Sequence, residues 1–370
     1  MRPVLLAFVL LLVLSATAGA APARPWLWQC EQIGLAGAKD RCYERLLLEE
    51  IDRSGNPATE LPRIDRRAKA AGTSLYGNCH MYMHVVGRAW AREHHLTLEH
   101  LQDVVPQSND PGCSAGFGMG LVMGLGPQII ASGGKTALRT CDRLPTRMRQ
   151  FTCVHSLGHA LMRGYHESLF LAVGACRRLG AKAGPDCAQG AFHDYWIALR
   201  GADEATVPVH AVKSPRALCA QPDYRGYEIQ CWYRYWVELL PAPSVQTAVD
   251  LLRLCHGLAG GARVGCIAGA EKVVDDTPAR QARMCTRLNA ADGLACLRGV
   301  ANQAYAGQPR RERALFSVCR RMGSPSGCAA WFGRTFTVLE NGRFRCVSGG
   351  LHAACVAGAR RWKAPLVTFS

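Results

Sequence analysis

Along the second half of the chain, hydrophobic residues recur at helical spacing in short stretches: SVQTAVDLLRL before Cys255, IAGAEKVV after Cys266, LRGVANQAY after Cys296 and RERALFSV before Cys319. Segments rich in Gly and Pro interrupt them, namely RRLGAKAGPD, HGLAGGARVG and RRMGSPSG. This pattern predicts pairs of helices joined by turns, with no strand signal. Two stretches depart from it. Val4 to Leu14 is an unbroken apolar run, preceded by Arg2 and followed by Ala18-Gly19-Ala20. That order of charge, short apolar run and small residues predicts a secretory signal peptide cleaved near Ala20, too short for a spanning helix. From Pro111 to Gly134 there is no charged residue, and Gly116, Gly120 and Gly124 sit four apart. Such a segment predicts a buried central helix that packs closely through its small residues.

Export changes the meaning of the cysteines. An even number, 18, in an exported chain predicts disulfides, and no two lie closer than nine positions, so CxxC motifs are absent. Sixteen fall into close pairs: Cys30/Cys42, Cys141/Cys153, Cys176/Cys187, Cys219/Cys231, Cys255/Cys266, Cys285/Cys296, Cys319/Cys328 and Cys346/Cys355. Cys79 and Cys113 remain, with their pairing open. Each close pair brackets a turn, which predicts an αα-hairpin stapled between the end of one helix and the start of the next. From Cys113 onward the second cysteines recur every 27 to 44 residues, the range of helical-repeat arrays. Three residues after five of them stands a glycine, at 116, 190, 269, 299 and 358, where a missing side chain admits a neighbouring helix.

The expected fold is therefore all-α, an array of disulfide-stapled αα-hairpins after a signal peptide. Its expected divisions are the leader 1–20, a helical cap 21–72, histidine-rich hairpins 73–200, stapled repeats 201–360 and a tail 361–370. The arrangement resembles the Sel1-like cysteine-rich repeat proteins, whose hairpins also carry one disulfide each. The cysteine spacing is longer here, and no residue role is carried over from that family.

Charge adds a surface property. Lys and Arg number 44 against 28 acids, a formal charge of +16, and only seven of the bases are Lys. Arginine stays charged and pairs well with carboxylate and phosphate, so a protein or anionic envelope partner is a candidate for the basic surface. Nucleic acid is not expected as a partner of an exported chain, nor is integral membrane insertion.

The histidines carry the candidate chemistry. Nine of twelve fall within residues 80–193, although the cysteine pattern runs to the end of the chain. Two HxxxH pairs, His80/His84 and His155/His159, place two imidazoles on one helix face each. Six residues after Cys153 and Cys187 stand His159 and His193, with Asp194 following; six after Cys113 stands Met119. Imidazole suits copper, zinc and iron, and a thioether such as Met119 shifts preference towards copper. Asp194 is either a ligand or the partner that fixes an imidazole. The expected metal residues are thus His80, His84, His155, His159, His193 and Asp194, with copper favoured and zinc or iron as alternatives.

Other chemistry lacks its motif. HExxH is absent, GGKT at Gly133–Thr136 lacks the leading glycine of a phosphate loop, and Ser156 has no GxSxG context. The aromatic run YRGYEIQCWYRYW from Tyr224 to Trp236 reads first as packing around Cys231. The sequence thus predicts an exported transition-metal-binding protein, with a metal-dependent oxidoreductase as its catalytic form. Its rival is a metal-free interaction module.

Overall fold

The computed structural model describes residues 26–361, apart from 72–73, 106–111, 200–213, 239–243, 275–277, 306–315, 340–343 and 347. The expected leader, and all but the first residue of the expected tail, lie outside the described residues. Among those described the chain is all-helical, without a strand. The helices that build the site and its scaffold include α1 (Ala36–Ser54), α2 (Pro57–Ala71), α3 (Ser74–Glu93), α4 (Cys113–Gly124), α5 (Arg147–Gly164) and α6 (Gly180–Leu199). They continue with α7 (Glu228–Glu238), α8 (Gly260–Lys272), α9 (Ala290–Tyr305), α10 (Pro325–Leu339) and α11 (His352–Arg360).

Local chemistry sets several helix ends. Thr146 starts α5 by accepting a hydrogen bond from the Arg149 amide at 3.2 Å, and Thr247 with Asp250 forms a capping box before a short helix. Both α3 and α5 stop through a histidine in the left-handed conformation, His95 (φ 49°) and His166 (φ 52°). The next amides, Leu96 and Glu167, return to Ala91 and Met162 carbonyls five residues back. The glycine-rich connections are shorter than the sequence suggests: α6 begins at Gly180 and α8 at Gly260, inside segments that read as turns. Packing of each second helix overrides the weak propensity of its first residues.

All eighteen cysteines are paired in nine disulfides. The eight close pairs form as the spacing predicts. Cys79 bonds Cys113, which resolves the open pairing and joins α3 to α4 across 34 residues. Helix α3 packs on α4, α4 on α5, α5 on α6, α6 on α7, α7 on α8 and α8 on α9; α10 packs on α11 and also touches α5.

These contacts are unusually close because of glycine. A Cβ built on Gly116 would sit 2.1 Å from the carbonyl oxygen of His80, and one on Gly190 would sit 1.9 Å from that of His155. No side chain fits there, so the histidine-bearing helices α3 and α5 each lie backbone to backbone against the following long helix. The uncharged helix α4 is buried around most of its circumference. Asp65 of α2 holds its first turn, accepting from the Ser114 amide at 3.2 Å and from the Ser114 hydroxyl. Among the described residues no helix is long and apolar enough to cross a membrane.

Candidate metal centre

Helix α5 carries His155 and His159 four residues apart, and α6 carries His193 and Asp194. With Gly190 seated on the His155 carbonyl, the next turn of α6 aims His193 at both α5 histidines. His155 Nε2 lies 3.2 Å from His159 Nε2 and 3.3 Å from His193 Nδ1. Each of the three residues is buried, and their ligand atoms lie within 4.8 Å of one another. Four-coordinate zinc with metal–nitrogen bonds near 2.0–2.1 Å has nitrogen–nitrogen edges of about 3.3–3.4 Å, so the two short edges match a tetrahedral ion. The group can hold a metal ion.

The far side of two rings is fixed by carboxylates. His159 Nδ1 lies 3.1 Å from Asp194 Oδ1, and His193 Nε2 lies 3.1 Å from Glu238 Oε1 of α7. Each carboxylate accepts a hydrogen bond from the N–H of the ring nitrogen it faces, which leaves the opposite nitrogen with its lone pair free. Two lone pairs, His159 Nε2 and His193 Nδ1, then converge on His155 Nε2. One proton on that atom satisfies only one of them, whereas a cation among the three satisfies all. The remaining nitrogen, His155 Nδ1, is buried with no hydrogen-bond partner among the described residues.

Burial opposes protonation of three of the rings. Burial pushes the pKa of His155 and His193 well below the ordinary histidine value, and Arg234 is the next largest cause for both. Burial acts likewise on His84, followed by the neighbouring His80. Burial alone opposes ionisation of Asp194, but the hydrogen bond with His159 and the Arg163 guanidinium outweigh it and hold the carboxyl below its usual range. Arg163 Nε lies 3.2 Å from Asp194 Oδ2 and 3.6 Å from Glu167 Oε1. Arg234 Nη2 approaches His155 Nε2 at 3.4 Å, while its Nη1 lies 3.4 Å from Glu238 Oε1. A neutral imidazole is the form that ligates metal, so the depressed values of His155 and His193 favour ligation.

The second predicted pair stands beside this triangle. His80 and His84 of α3 bring their Nε2 atoms to 3.2 Å, and the His84 ring meets that of His159 edge-on at 5.6 Å between centroids. The five predicted histidines are therefore contiguous, and Asp194 stands behind His159. The remaining described histidines lie elsewhere. His94 stacks on Trp90 and pairs with Asp52, and His100 pairs with Asp103. His95 and His166 serve as helix ends.

Three polar residues were not assigned to the centre from the sequence: Glu238, Arg163 and Arg234, the last read only as a match for an anionic group within the aromatic run. Glu238 had a usable signal, since it stands seven residues after Cys231 as Asp194 stands seven after Cys187. The aromatic run around Cys231 is packing, as expected: Tyr224, Tyr227, Trp232, Tyr233 and Trp236 are buried. A second group, Glu271 with Cys285 and Cys296, offers no thiolate because both sulfurs are spent in a disulfide.

No protein-family model matches the chain, and no curated protein and no solved structure is significantly similar to it.

Proposed function

We propose that this chain is an exported metal-binding protein in which His155, His159 and His193 hold one transition-metal ion. One observation carries the reading: three buried ring nitrogens converge at 3.2–3.3 Å while two of the rings are backed by Asp194 and Glu238. That carboxylate–histidine pairing fixes ring orientation and raises ligand basicity at metal sites. The scaffold is an array of stapled helical hairpins, and nine disulfides favour an oxidising compartment, periplasmic or extracellular. Imidazole donors admit copper, zinc or iron.

Three protein nitrogens leave a four-coordinate ion one position for an outside ligand. Arg234 borders the triangle, so that ligand is an anion or a group that becomes anionic. A metal-dependent oxidoreductase is the catalytic form of this reading. Titration with Co(II) tests the site directly: intense visible bands of tetrahedral cobalt, saturating at one equivalent and absent from His155→Ala/His159→Ala, support it. Weak bands unaffected by the double substitution contradict it.

A second reading, a metal-free module that docks a protein or polyanionic envelope partner, draws on a different observation. Burial and then Arg334 depress the pKa of Arg298, and burial and then Arg361 depress that of Arg334. Arg298, Arg334 and Arg361 thus lie close enough to feel one another's charge, a setting that favours an anionic partner. Salt-dependent retention on a polyanion matrix, lost on replacing Arg298 and Arg361, supports that reading.

A further inference from the structure

We propose that His80 and His84, with Met119 as a soft third donor, hold a second metal ion beside the first. The inference rests on the reading of His155, His159 and His193 as a metal site and extends it to a paired centre.

The two helix pairs are built alike. In each, an HxxxH helix is pressed against the following long helix through a glycine three residues after a cysteine: Gly116 on the His80 carbonyl, and Gly190 on the His155 carbonyl. In each, the two imidazoles meet edge-on through Nε2 at 3.2 Å, with ring centroids 4.8 Å apart in α3 and 4.9 Å in α5. Three residues beyond Gly190 stands His193, which completes the α5 pair at 3.3 Å. Three residues beyond Gly116 stands Met119, buried like His193. By that register Met119 takes, in the α3/α4 pair, the place that His193 holds in the α5/α6 pair.

The chemistry differs at one further position. Where Asp194 follows His193, Gly120 follows Met119, and its Cα face lies against the His84 carbonyl. The second position therefore lacks the carboxylate that backs His159. Two neutral imidazoles and a thioether make a soft, uncharged donor set, which suits Cu(I) better than Zn(II). The first position, with three imidazoles and two carboxylates behind them, suits a divalent ion.

The test is a count of bound ions on the untagged full chain, with Cu(I) added anaerobically against a chromophoric chelator. Wild type is expected to take up two equivalents and His80→Asn/His84→Asn one. Met119→Leu is expected to retain two, with the weaker at least tenfold looser. X-ray absorption of the doubly loaded protein adds a readout independent of folding. Every cysteine is disulfide-bonded, so a sulfur scatterer on copper comes from methionine, and Met119→Leu is expected to remove it. One equivalent in both wild type and His80→Asn/His84→Asn overturns the second position and leaves the first standing. One equivalent in wild type and none in that variant also overturns it, because a single ion is then shared. No Cu(I) binding in wild type overturns the second position and leaves the first to the Co(II) titration, and two equivalents without a sulfur scatterer remove Met119 from the set.

Discussion

His159 places Nδ1 3.1 Å from the Asp194 carboxylate and Nε2 3.2 Å from His155 Nε2. The carboxylate thereby decides which nitrogen is left to ligate. A helix register does this work, because His193 and Asp194 are adjacent on α6 and serve different rings of the same triangle.

Asp194→Asn is expected to weaken metal binding by about 10–100-fold, the usual cost of removing a carboxylate behind a ligating histidine. Glu238→Gln is expected to act similarly through His193. Competition against a chelator of known affinity measures both. Unchanged affinity in both variants contradicts the assigned orientation of the rings.

Gly190→Ala forces a methyl group into the His155 carbonyl, since a Cβ at that position falls 1.9 Å from the oxygen. Overpacking of this kind costs about 1–3 kcal/mol, and here it also pushes His193 away from α5. Gly174→Ala is the control: nothing lies within 4 Å of its Cβ position, and a helical alanine there is expected to stabilise by about 0.4–1 kcal/mol. Urea unfolding of both variants separates the effects, and equal stabilities contradict the close helix contact.

Acid is expected to destabilise the metal-free protein. Burial depresses the pKa of His84, His155 and His193 in the folded state, whereas the unfolded chain protonates them near pH 6.5. The unfolded state therefore binds more protons below that pH, and stability falls as pH drops through about 6.5. The slope is about 1.4 kcal/mol per pH unit for each proton, until the folded pKa values are reached. Chemical denaturation of chelator-treated protein between pH 7.5 and 5 checks this; a stability independent of pH contradicts it.

The disulfides are expected to divide by position. Removing Cys141–Cys153, a loop of 12 residues, costs about 3 kcal/mol by loop entropy and frees Cys153, which stands on α5 two residues before His155. Removing Cys346–Cys355, across nine residues, costs about as much but leaves metal affinity unchanged. Calorimetry and metal titration on the two double Cys→Ser variants distinguish a local support from a general staple.

Much of this was legible in the sequence. Cysteine spacing announced the hairpins because a disulfide between adjacent helices needs only a turn's length of chain. The glycines three residues after Cys113 and Cys187 announced close helix contacts, and HxxxH spacing is a property of a single helix. Glu238 shared the seven-residue offset of Asp194 from its cysteine, but that it and Arg234 reach the centre depends on the packing of α7 on α6, which no local spacing shows. Cys79–Cys113 was open for the same reason: its partners are 34 residues apart, and nothing local joins them. Helix starts at Gly180 and Gly260 were hidden because tertiary contact, not propensity, fixes them.

The central claim is tested most directly by metal analysis of untagged protein purified from an oxidising compartment. Copper, zinc or iron is expected at one or more ions per chain, with one ion lost from His155→Ala/His159→Ala and the full complement retained in His256→Ala. A chain that holds no metal even after reconstitution, or a double variant that keeps its full complement, contradicts it.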